Sequence, residues 1–187
     1  MDAFASAADL GKRLKRTFTS DEVEWIDELL ADASAYLRDV IGQQVFPRTQ
    51  TTYTAYPSGG REDLPVVPLV SVDAVTRNGD PIDFTYRPGH ILVDCDTPCD
   101  VTVTHGYLTP PRELTRLACV LVSQTLLPLE AQLGLAVGGL SSAQLDDFRL
   151  SWADGGDKSG MFLTEHTEAR IRTTYGLGDV HVGETAG

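Results

Sequence analysis

Between Val101 and Leu127 the chain reads VTVTHGYLTPPRELTRLACVLVSQTLL. Leu114, Leu117, Ala118, Leu121, Val122 and Thr125 recur there at helical spacing. Cys119, Val120, Leu126 and Leu127 occupy the other sides, so from Leu117 onward the helix is apolar almost all round. A surface helix keeps a polar face, whereas this one has to be covered on most sides. At 1.5 Å per residue it spans roughly 25 Å, which suits a core helix; it is too short, and too polar at its start, to cross a membrane. Either the rest of the chain wraps it or a neighbouring subunit does. Thr109 is the predicted N-cap, with Pro110 and Pro111 in the first turn. Pro128 is predicted to end or kink the helix, with Leu129 to Leu135 adding a turn or two.

Upstream, residues 6 to 16 (SAADLGKRLKR) read as a short first helix with a basic cluster at Lys12, Arg13, Lys15 and Arg16. A solvated face is the plain reading of that cluster, and contact with an acidic partner or with phosphate is the functional one. Ser20 is the predicted N-cap of a stronger helix, with Asp21 and Glu22 where the helix dipole favours anions. Val23, Ile26, Leu29, Leu30, Ala33, Leu37, Val40 and Ile41 form its apolar stripe, and Gly42 ends it. Trp25 and Tyr36 near the stripe read as core packing.

From Gln50 to Tyr107 the period changes to two. Thr51, Tyr53 and Ala55 alternate with Thr52, Thr54 and Tyr56, and Val101, Val103 and His105 with Thr102 and Thr104. Asn78-Gly79 is a strong hairpin signal. A three-residue loop, Asn78-Gly79-Asp80, sets Thr76 opposite Ile82, Ala74 opposite Phe84 and Val72 opposite Tyr86, gathering the apolar residues on one face. A two-residue loop would set Asp73 opposite Phe84 and bury a carboxylate, so the longer loop is expected. His90 to Asp94 is expected to pair with Val101 to His105. Downstream, residues 134 to 143 read as a loop, Phe148, Leu150 and Trp152 as a short strand, and residues 162 to 174 as a last helix stopped by Tyr175-Gly176. The fold class is therefore α+β: a small helical core of two main helices plus short terminal helices, with an inserted antiparallel β region of hairpins. As one domain of 1–187, it divides into a helical part (1–47), a β insertion (48–108), a closing part with the central helix, short strand and last helix (109–176), and a tail (177–187).

Composition narrows the function classes. With 27 acidic and 15 basic residues the net charge is -12. A general nucleic-acid-binding surface would be basic, although an acidic wall could stand beside DNA and let it slide. Three cysteines do not make a secreted disulfide framework, and no signal peptide opens the chain, so a reducing cytoplasm is the expected site of synthesis. His90, Cys95, Cys99 and His105 are the residue types of a zinc site. In the expected hairpin, however, the cysteines sit at the loop and the histidines at the open end, roughly 13–16 Å apart at 3.3 Å per residue. No metal and no cofactor is expected, and a Cys95–Cys99 disulfide is disfavoured by the compartment. Glu165 and His166 on the last helix read as surface residues rather than an acid–base pair. Nucleophile elbow, phosphate-binding glycine loop, HExxH and CxxC are all missing from the sequence, which makes an enzyme the weaker class. The final GLGDVHVGETAG has too little apolar content to fold alone. Asp179, Val180, His181 and Val182 nevertheless alternate like a strand and could add to a partner's strand edge.

The layout as a whole resembles a known family. SAADLGKRL is followed by TSDEVEWIDELLADASAYLRDVIGQQVFP, then PLVSVDAVTRNGDPI, then VTVTHGYLTPPRELTRLACVLVSQTLL, and the chain closes on a Trp-bearing strand and a short helix ending in Tyr-Gly. In this order, over residues 6 to 176, it resembles the head-to-tail adaptor, or head-completion, proteins of long-tailed bacteriophages. The resemblance implies a structural virion protein, made in the bacterial cytoplasm and placed in the neck. Such proteins form a ring, usually of twelve copies, beneath the portal. They extend a channel through which packaged DNA passes without specific recognition, and they dock the next stopper or tail-completion component; no membrane is involved. Another tail-completion or stopper protein is the nearest alternative, though these are commonly small β barrels. A small cytoplasmic enzyme is the more distant one.

Overall fold

A computed structural model describes residues 2–94, 96–132, 144–145, 148–149 and 161–176. The fold is α+β. In chain order its elements are α1 (Ala7–Leu14), α2 (Ser20–Ile41), β1 (Thr49–Ala55), β2 (Arg61–Asp63), β3 (Leu69–Arg77), β4 (Asp80–Pro81), β5 (Phe84–Arg87), β6 (His90–Val93), β7 (Cys99–His105), α3 (Arg112–Gln132), β8 (Gln144–Leu145), β9 (Phe148–Arg149) and α4 (Glu165–Tyr175). The chain forms two compact units, Met1–Val40 with Pro110–Glu168, and Ile41–Thr109 with Ala169–Gly187.

In the first unit α3 is buried as its sequence requires. Leu114 and every residue from Leu117 to Ser123 are buried, as is Leu126. Ser123, the polar member of that run, returns its hydroxyl to the Cys119 carbonyl at 2.8 Å, so no donor is stranded. Each fully buried leucine contributes roughly 1.5–3 kcal/mol. The start of α3 differs from expectation. Arg112 is its first residue, and the Pro111 carbonyl accepts the Thr115 N–H at 3.0 Å, so Pro111 rather than Thr109 caps the helix. Two successive prolines restrict the residue before each of them, which delays helical geometry until the second has passed. The helix also runs through Pro128 to Gln132.

Helix α1 begins with a reciprocal cap: the Asp9 N–H donates to the Ser6 hydroxyl and the Ser6 N–H to the Asp9 carboxylate. It ends at Lys15 in the left-handed conformation. A Cβ on Gly11 would lie 2.6 Å from the Arg16 carbonyl, so this close turn requires glycine. The cap of α2 is Thr19, one residue before the predicted Ser20. Its N–H donates to the Glu22 carboxylate at 2.7 Å, and its carbonyl accepts the Val23 N–H. Ile26, Leu30, Ala33, Leu37, Val40 and Ile41 from the expected stripe are buried. Phe4, unassigned from sequence, is buried and held on both sides: its N–H donates to Ser34 Oγ at 2.9 Å, and its carbonyl accepts from Thr115 Oγ1 at 2.9 Å. Tyr36 donates to Glu168 at 2.5 Å and accepts the Leu163 N–H. Thr164 caps α4, which therefore starts at Glu165 rather than residue 162.

The second unit holds two antiparallel sheets of order β1-β7-β3-β4 and β2-β6-β5. Strand β7 lies between β1 and β3 and alternates as expected: Cys99, Val101, Val103 and His105 are buried, with Asp100 exposed and Thr102 and Thr104 half-buried. Cys99, Val101 and Val103 join Ala55, Val75, Ile91 and Val93 in one core drawn from both sheets. Tyr175-Gly176 closes α4 as expected: the Tyr175 carbonyl accepts from Gln43, and a Cβ on Gly176 would lie 2.4 Å from the Arg172 carbonyl.

Two pairings differ from expectation. The Asn78-Gly79 loop is the two-residue form, with Arg77 opposite Asp80 and Thr76 opposite Pro81. Asn78 and Gly79 both take positive φ, 52° and 90°, which the tight hairpin turn demands. Asp73 escapes burial by another route. Register shifts in β3 between Leu69 and Ser71 and between Val72 and Ala74 set Asp73 in a bulge, exposed, and β5 leaves β3 to pair with β6. The expected pairing of His90–Asp94 with Val101–His105 does not form either, because β6 pairs with β2 and β5, and β7 with β1 and β3.

Leu121→Asp is expected to abolish folding. A buried unpaired carboxylate costs several kcal/mol against a total stability of roughly 5–15 kcal/mol. Leu121→Ala should instead give a folded protein about 2–5 kcal/mol less stable by denaturant titration. An unchanged transition in either variant would show that this helix is not core.

Candidate functional site

The basic cluster read from the sequence divides in the structure. Lys12, Lys15 and Arg16 line an open groove of about 650 Å³ that runs along α1, the turn after it and the start of α2. Ala7, Ala8, Gly11, Phe18 and Val23 give it an apolar floor, with Ser6, Thr17 and Asp27 completing the wall. The turn at Lys15 explains the grouping, since its left-handed backbone folds Arg16 to Phe18 back beside the helix. Arg16 pairs with Glu22, and its guanidinium carbon lies 5.0 Å from the Phe18 ring centroid. Asp27 accepts the Ala7 N–H at 3.1 Å. Lys12 and Lys15 are exposed. Arg13 is outside the groove lining; it is half-buried and close to Cys119, whose thiol is pushed up to about 11, chiefly by burial. The Ser6 hydrogen bond holds Asp9 below the usual carboxylate range, with smaller pulls from Lys12 and Arg13.

The sequence reading passed over the opposite charge on the same unit. Asp21, Glu24, Glu28, Asp32 and Asp39 are exposed on α2 and fall on one face, together with the exposed Ala31 and Ala35. The signal was present as four-residue spacing, but the apolar stripe on the other side of the helix drew the reading.

In the second unit the exposed face of the larger sheet is a polar ladder. Thr52 bonds Thr102 at 2.8 Å and Thr54 donates to Asp100 at 2.9 Å. Asp73 accepts from Ser71, Thr104 and Gln50, and these bonds, Ser71 first, hold its carboxyl below the ordinary range. On the inner side burial raises Tyr53 above the usual phenol range, and burial also raises Glu62. The residues of zinc-ligating type are dispersed: His90 opens β6 in the smaller sheet, whereas Cys99 and His105 lie at opposite ends of β7 in the larger. Cys95 falls outside the described residues, as do Leu150, Trp152, residues 134–143 and the tail candidates Asp179, Val180, His181 and Val182. Glu165 and His166 are exposed on α4.

No family model matches the chain, and no curated protein does. A solved structure described as "Neck of empty GTA particle computed with C6 symmetry" is similar to it, with 17% identity over 71% of this chain and 79% of that one and a TM-score of 0.48. Among the described residues no helix is long and apolar enough to cross a membrane.

His105 gives the second unit a pH dependence. It is buried, its Nε2 lies 3.1 Å from Thr51 Oγ1, and burial lowers its pKa below 6.5, against a smaller opposing effect of the Gln44 backbone. The unfolded chain therefore takes up the proton first. The stability present above pH 6.5 should decline as pH falls from there toward the lowered folded value, before the carboxylates near pH 4 begin to titrate. Melting curves across this range should show the decline in the wild type and a flatter profile in His105→Gln. Equal slopes would mean that His105 is not buried neutral.

Proposed function

We propose that this chain is a structural subunit of a phage-type neck, a head-to-tail adaptor that assembles as a ring under the portal. The ring extends the DNA channel and presents a docking face to the next stopper or tail-completion component. One observation supports the reading: SAADLGKRL, the stretch from Thr19 to Pro47 and the stretch from Val101 to Leu127, which carry much of the family resemblance, supply α1, α2, and β7 with α3 in that order, with the β module between α2 and α3; the Trp-bearing strand lies outside the described residues. The chemistry of the described side chains agrees with a structural role. Carboxylates and hydroxyls with shifted titration serve helix caps, a strand bulge and core positions. The net charge of -12 suits a wall that DNA passes without being gripped.

The copy number of twelve, the portal contact and the virion location belong to this proposal, as does a partner-docking role for Asp179 to Val182. Electron microscopy of the protein mixed with its portal should show a ring coaxial with the portal. Persistent failure to form a complex would overturn the adaptor reading. Deleting residues 177–187 should leave the melting transition of the isolated protein nearly unchanged while weakening portal binding. A large loss of stability would mean that the tail packs on its own subunit, and unchanged portal binding would remove its docking role.

A further inference from the structure

We infer that the basic groove along α1 receives the acidic face of α2 from a second copy of this chain, in a head-to-tail contact that repeats around a ring. This rests on the ring-forming reading above and supplies the interface that reading lacks.

Both surfaces lie on the first unit, and their charges are complementary. The groove presents Lys12 and Lys15 to solvent, with Arg16 beside them. Arg16 is paired with Glu22 of the α2 cap, and Asp27 in the wall keeps its charge while accepting the Ala7 N–H, so Lys12 and Lys15 together outweigh it and leave the groove net positive. The acidic face presents Glu24, Glu28 and Asp32, exposed, at successive helical turns. Ala31 and Ala35 on that face leave the helix backbone free to approach closely, and the apolar floor of Ala8, Gly11, Phe18 and Val23 offers it surface to cover.

One copy cannot satisfy its own groove. Val23 and Asp27, which line it, lie on a different side of α2 from Glu24, Glu28 and Asp32, roughly 100° away at 3.6 residues per turn. The pairing is therefore between copies and joins unlike surfaces. Contacts of that kind close into rings when the rotation permits and otherwise extend into filaments. A chain with net charge -12 repels its copies at long range, and a local basic groove offsets that repulsion in one orientation only, which fixes the geometry of approach.

Charge reversal with mixing tests this on the full chain. Lys12→Glu with Lys15→Glu makes the groove acidic, and Glu28→Lys with Asp32→Lys makes the α2 face basic. All four side chains are exposed, so both double variants should stay folded; Lys12→Glu costs a small amount of stability through Asp9 and the end of α1, which their melting curves measure separately from association. In sedimentation velocity at low salt the wild type should self-associate. Raising the salt to about 1 M, where the screening length is roughly 3 Å, should weaken that association. Each double variant alone should associate at least about tenfold more weakly, because like charges then face each other. An equimolar mixture of the two should recover association, since each groove then meets a face of opposite charge. Rings that form normally in both double variants, or a mixture that recovers nothing, would overturn this interface while leaving the ring-forming reading intact. A groove variant that loses binding to duplex DNA but keeps its self-association would assign the groove to phosphate instead. A wild type that stays monomeric at every concentration, alone and on the portal, would overturn both.

Discussion

Between Leu117 and Ser123 helix α3 has no solvent face, and the first unit depends on that burial. A helix covered on every side cannot hold itself up, since its backbone is satisfied internally while its side chains all need neighbours. The neighbours named in the structure come from distant parts of the sequence. Phe4 meets Thr115 near the start of α3, α1 lies beside it with Arg13 near Cys119, and the Gln124 side chain accepts the Phe162 N–H at 3.3 Å. The two fully buried serines on these helices are satisfied locally. Ser34 and Ser123 each return a hydroxyl to the carbonyl four residues earlier, which leaves their helices intact.

The second unit depends in the same way on β7. Its strict alternation places Val101 and Val103 in the core and threonines on the other face, and pairing on both edges fixes its register. β3 is fitted to it by two bulges rather than by regular pairing. The bulge at Asp73 turns a carboxylate that regular pairing would have buried into the acceptor of three side-chain hydrogen bonds.

What could be read from the sequence follows from how local its cause is. The buried helix, the short first helix, the alternation of β7 and the Tyr175-Gly176 stop each arise within a few residues, and all were legible. Strand partners were not. That β6 joins β2 and β5 rather than β7 depends on which sheet completes the shared core, a choice spread over the whole β module. The Asn78-Gly79 loop was misjudged because the expected three-residue form assumed that β5 continues alongside β3; once β5 leaves, the tight turn carries no penalty at Asp73. At the candidate site, the basic cluster was legible as charge, but its division was not. A left-handed Lys15 sends Arg16 back toward Phe18, while Arg13 stays beside α3. The acidic face of α2 was equally available from spacing and was passed over.

Hydrogen exchange of the backbone amides from Leu117 to Ser123, followed in the full chain with increasing denaturant, tests the central claim most directly. If α3 is the core on which the first unit is built, these amides exchange only through global unfolding, and their protection falls with denaturant in parallel with the main transition. Exchange at rates typical of a surface helix, with no dependence on denaturant, would contradict the account.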